Sequence, residues 1–132
     1  MNSKIDLIRK YYSLIEDFNS DKNEFEDIYD KDIKAVEHPN LVSPKGQVRT
    51  LEELFSGMEN GKKILNWQKF EINTFNEMSE KLVVESKWKG EVAVDIGKLK
   101  KGQILIAHIC TLFEFKDGKI VQQTNYDCYE AF

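Results

Sequence analysis

Three places in the sequence combine residue types that can move protons. The first is Glu37-His38-Pro39, where a short strand-like run ends and faces a later helix across a loop. The second is His108, the one histidine inside the apolar run 104–112. The third is Gln123, Asn125 and Asp127, whose alternation places them on one face of the last strand. A histidine and a carboxylate together make a general acid/base unit, because each tunes the other's pKa towards neutrality. Each of these residues also has a plainer reading. His108 would be a packing or dimer-interface residue, Asp127 a backbone-bonding or loop-capping group, and His38 a turn residue before Pro39. Glu37, His38, His108 and Asp127 are metal-ligating types, but no HxH or HExxH spacing occurs, so no metal site is expected.

Whether His108 meets Asp127 depends on the turn at Lys116-Asp117-Gly118-Lys119. A two-residue Asp117-Gly118 turn pairs Lys116 with Lys119 and sets His108 directly opposite Asp127. A three-residue bulged turn with Gly118 left-handed pairs Phe115 with Lys119 instead. Ala107 then opposes Asp127, and His108 points the other way. The residues permit both registers.

The elements that must hold these groups are legible from periodicity. Ser3 can cap a helix with Asp6 three residues on, and Ile5, Ile8, Tyr12 and Ile15 then line one stripe beside Leu7, Tyr11, Leu14 and Phe18. Tyr11 and Tyr12 read as core-edge residues with solvated hydroxyls. Asn19-Ser20-Asp21 breaks the helix, and Asp21 with Glu24 restarts a short one carrying Phe25, Ile28 and Tyr29. A short strand over 33–37 and a loop over 40–49 follow. Thr50 then caps a third helix, with Glu53 in the capping-box position, Leu51, Leu54, Phe55 and Met58 as its apolar face and Gly61 as its stop. Four strands complete the chain, near 67–75, 81–89, 104–115 and 120–129, joined as successive hairpins. Trp67, Trp88 and the phenylalanines read as core first and pocket lining second, with Phe55, Trp88 and Phe113 the apolar lining candidates. Helices segregated from such a sheet make an α+β domain, with residues 1–132 forming one unit.

Composition narrows the function classes. Net charge is −4, and the only basic cluster, Lys98, Lys100 and Lys101, reads as a solvated loop, which argues against a nucleic-acid face. No apolar run reaches membrane-spanning length, and no signal-peptide core follows the N-terminus, so a cytoplasmic protein without a membrane partner is expected. Cys110 and Cys128 form no CxxC pair and read as reduced thiols.

The helix-helix-strand-helix-sheet order resembles the nuclear transport factor 2-like superfamily, in particular its SnoaL-like branch. Ala35-Val36-Glu37-His38-Pro39 carries the likeness, together with Asp117-Gly118-Lys119-Ile120-Val121 and Asn125-Tyr126-Asp127. The resemblance implies a cone: three N-terminal helices packed on a curved mixed or antiparallel sheet, enclosing a pocket for a small organic molecule. It also implies a homodimer through the sheet and chemistry without a cofactor. Val36-Glu37-His38-Pro39 is similar to the Val-Glu-Asp-Pro of ketosteroid isomerases, whose aspartate shuttles the proton. His38 stands in that place, Thr111 in that of their second acid and Tyr12 near their helix-one tyrosine. The same likeness turns Thr111, Phe113, Gln123, Asn125 and Asp127 into the pocket and His108 outward. SnoaL-like cyclases use a pocket aspartate as acid/base, for which Asp127 is the natural candidate. The expectation is a small-molecule isomerase, cyclase or hydratase. His38 and Asp127 would transfer protons, with His108 a third catalytic candidate. Tyr12, Glu37, Phe55, Trp88, Thr111, Phe113, Gln123 and Asn125 would contact the ligand. The alternative is a non-catalytic ligand-binding or dimerisation domain.

Overall fold

The computed structural model describes residues 3–132. Helices α1 (Lys4–Glu16) and α2 (Lys22–Glu26) open the chain. Strands β1 (Tyr29–Glu37) and β2 (Gln47–Arg49) follow, then helix α3 (Leu51–Ile64). Four long strands complete it: β3 (Leu65–Met78), β4 (Lys81–Val92), β5 (Ile104–Lys116) and β6 (Lys119–Tyr129). The caps work as their residue types require. Ser3 Oγ accepts from the Asp6 amide, and Thr50 with Glu53 closes a full capping box at α3.

All six strands form one sheet in the order β2-β1-β6-β5-β4-β3. The sheet is mixed, because β1 lies parallel to β6 while every other neighbour is antiparallel. Helices α1 and α3 cover one face of it. The core between them is built on Ile8, Tyr11, Tyr12, Phe25, Phe55, Leu82, Val84 and Phe113. Strand β4 shows why the sheet has two characters: Leu82, Val84, Ser86 and Trp88 are buried, while Lys81, Glu85 and Lys89 are exposed.

Several boundaries differ from the sequence expectation. Tyr29 does not end α2 but starts β1, because its backbone pairs with Ile120 of β6. The loop over 40–49 contains β2, a three-residue edge strand too short to announce itself. Gly61 does not stop α3. The helix continues to Ile64 and passes straight into β3, the Leu65 amide closing on the Gly61 carbonyl.

The last hairpin resolves the register question by a route neither alternative described. Lys116 pairs with Lys119 across a two-residue turn, with φ of 52° at Asp117 and 76° at Gly118. A bulge follows at once: Phe115 pairs with Ile120 but Glu114 pairs with Gln122, leaving Val121 over. That extra residue sets Ile109 opposite Asp127, Thr111 opposite Asn125 and Phe113 opposite Gln123. His108 pairs with Cys128 on the opposite face.

Candidate functional site

Between α1, α3 and the sheet lies a cavity of about 290 Å³, lined chiefly by Leu14, Phe18, Phe55, Met58, Leu65 and Phe70. A second hollow of about 370 Å³ adjoins it towards the ends of β1, β5 and β6, with Tyr12, Trp88, Thr111, Asp127 and Tyr129 in its wall. Both share Tyr11, Glu37, Arg49, Gln68, Phe70 and Asn125. The space therefore has an apolar end and a polar end, the arrangement of a small-molecule site.

At the polar end, both oxygens of Glu37 are hydrogen-bonded. Its Oε1 accepts from Arg49 Nη1 at 2.9 Å, and its Oε2 accepts from Asn40 Nδ2 at 2.8 Å. Asn40 also donates to the His38 carbonyl and accepts from the Val42 and Ser43 amides, tying the β1–β2 loop to the carboxylate. Gly46 completes this loop at φ +67°, where a Cβ would lie 2.5 Å from the Glu37 carbonyl oxygen. Arg49 comes from β2, one residue before the Thr50 cap. Gly57 of α3 leaves room beside it: an added Cβ would sit 3.7 Å from Arg49 Nε.

Asp127 occupies the same end in a different state. Burial and the charge of Glu37 push its carboxyl up to about 6, against an opposing Asn125 amide. Its Oδ1 is buried and has no hydrogen-bond partner. Two nearby carboxylates thus differ: one is held in an ion pair and one is poised near neutrality, the pattern that separates fixed charge from acid/base.

The surrounding polar groups form a fixed frame. Gln123 donates to Tyr11 Oη and accepts from Tyr29 Oη, both at 3.1 Å. Burial drives the Tyr11, Tyr12 and Tyr29 hydroxyls upward, so they act as neutral donors and acceptors. Trp88 Nε1 donates to Gln68 Oε1 at 2.9 Å. Its indole lies across Gly90, where a Cβ would approach to 2.6 Å, so that position needs glycine.

The structure gathers Tyr12, Glu37, Phe55, Trp88, Thr111, Gln123, Asn125 and Asp127 around this space. Three candidates lie elsewhere. His38 is on the outer face, stacked on Tyr126 with ring centroids 4.5 Å apart, because alternation along β1 turns Glu37 inward and its neighbour out. His108 is also outside, half-exposed and bonded to Glu130 at 2.8 Å. Phe113 faces inward but is sealed in the core edge-on to Tyr11, so it supports the wall without lining it. Tyr11 and Tyr12 are buried rather than solvated, since α1 lays both on the sheet. Trp67 turns outward beneath Lys69, opposite to the core-facing Gln68 and Phe70. Among the described residues, no group of three His, Cys, Asp or Glu is placed to hold a metal.

Sequence reading missed Arg49, Gln68, Tyr11, Tyr29 and Tyr129. Gln68 had a signal, being the polar member of an otherwise apolar Gln68-Phe70-Ile72 alternation. Arg49 had only its place before a helix cap.

This arrangement, three helices on one side of a mixed sheet with polar groups converging at one end, is the nuclear transport factor 2-like fold. Solved structures match it along nearly the whole chain. IdmH from Streptomyces antibioticus, for which a polyketide cyclase activity has been proposed, superposes with a TM-score of 0.80 at 12% identity, over 96% of this chain and 92% of that one. A protein from Jannaschia sp. CCS1, proposed to be a SnoaL-like polyketide cyclase, matches with a TM-score of 0.75 at 12% identity over 96% and 90%. A nuclear transport factor 2-like protein of unknown function from Burkholderia pseudomallei matches with a TM-score of 0.76 at 15% identity over 96% and 91%. No family model matches the sequence, and no curated protein matches it. At these identities the likeness establishes the fold.

Proposed function

We propose that the chain binds a small carbonyl compound and moves a proton on it, as an isomerase, cyclase or hydratase does, with Asp127 as the acid/base. The observation that carries this is the Asp127 carboxyl itself: inside the cavity, pushed up to about 6, with one oxygen unpartnered. A base poised near the working pH is the most effective proton shuttle. Asn125 and Tyr12 stand in the same wall as donors to a developing oxyanion. His38, on the far face of the sheet, has no part in this reading.

The test is exchange of α-protons of 2-tetralone, a two-ring ketone of suitable size, followed by NMR in D₂O. Asp127→Asn is expected to lower protein-dependent exchange by about 100-fold or more. Exchange that survives in this variant removes the reading. A second reading, a dimerisation domain, draws on the outer face of the sheet, where Val48, Ile104 and Tyr126 are exposed.

A further inference from the structure

Arg49 is the one cation in the wall shared by both halves of the cavity. Among the described residues it makes a single hydrogen bond, from Nη1 to Glu37. A guanidinium carries five N–H donors in a rigid fork, so most of those of Arg49 have no protein partner among the described residues. Its partner is anchored at both oxygens, Oε1 by Arg49 and Oε2 by Asn40. Glu37 therefore holds the guanidinium in place. On the α3 side Gly57 presents no side chain against it.

We propose that Arg49 binds the substrate's oxyanion, so that this site takes carbonyl compounds acidic enough to be held as an enolate or phenolate. The inference rests on the reading of Asp127 as base. Asp127 takes a proton from the carbon beside the carbonyl. The C–H electron pair becomes the enolate π-bond, and the negative charge moves onto oxygen. Net charge in the site is unchanged: it passes from the Asp127 carboxylate to an oxygen facing Arg49. Return of the proton from Asp127 to another carbon completes an isomerisation. Fixed charge aimed at the atom where charge develops is the strongest form of such stabilisation. Glu37 is a positioning residue in this scheme.

The probe is 4-nitrophenol, whose neutral and ionised forms absorb differently and so report which form is bound. Simple loss of Arg49 would leave Glu37 as an unpaired charge, so the comparison is Glu37→Gln against Glu37→Gln/Arg49→Gln. Adding Arg49→Gln is expected to weaken phenolate binding about tenfold or more, raising the bound phenol's pKa by about one unit. Neutral phenol should bind both variants within about twofold, which shows that the cavity is intact. Asp127→Asn should shift the preference the other way, towards phenolate. Equal phenolate binding by the two Glu37 variants overturns the proposal, as does failure of the wild type to bind phenolate. Because the readout is binding, it can fail while the Asp127 exchange test succeeds, and the reverse.

Discussion

Neighbouring residues on the same strands of this sheet live in two different chemistries. Glu37 and Asp127 point into the cavity, where burial and the charge of Glu37 raise the Asp127 carboxyl. His38, Tyr126 and Cys128 sit one residue away on the outer face, with His108 of β5 opposite Cys128, and there the His108–Glu130 pair is half-exposed. The contrast teaches that residue type alone does not arm a site. The histidines are the more obvious proton carriers, yet the group held near neutrality inside the cavity is a carboxylate.

The sharpest way to break this comparison is to damage the inner wall without touching its polar groups. Phe113→Ala should cost about 3–5 kcal/mol, because the ring is fully buried against Tyr11 and Tyr12. Urea unfolding measures it, and a cost below about 1 kcal/mol would mean that the core has been misread.

A smaller effect should appear with pH. Folding raises the Asp127 carboxyl from 3.8 to about 6. Its favourable contribution is therefore complete below about pH 4 and is lost as pH rises through about 6. Asp127→Asn, which cannot ionise, should be more stable than wild type above neutrality by roughly 1–3 kcal/mol, and the gap should close in acid. Paired denaturation curves at several pH values decide this, and a constant gap would show that the carboxyl is not held near neutrality.

On the outer face, His108→Ala should change stability by less than about 1 kcal/mol, as expected for an exposed pair. The same substitution should leave ketone exchange unaltered. A large loss of exchange would erase the distinction between the faces.

Much of the fold was legible because each element carries its own period or cap. Ser3, Thr50 with Glu53 and the alternation in β4 all behave as their residue types dictate. The site was legible only in part. Gln123, Asn125 and Asp127 share a face by alternation alone, but which partners they meet depended on Val121. A bulge there satisfies the Asp117-Gly118 turn and still reverses the pairing parity. Nothing in the local residue types marks it. Arg49 was hidden for a related reason: an edge strand of three residues shows no period, and its value comes from Glu37, twelve positions earlier.

The parallel pairing of β1 with β6 has a consequence for the nascent chain. β6 lies between β1 and β5, so the sheet cannot close until its last-made strand arrives. The Tyr11–Gln123 bond joins residues 112 positions apart, and Asp127 comes later still. Until then the edges of β1 and β5 stand open on the ribosome, available to other chains as templates. Slow decoding ahead of β6 should therefore favour aggregation.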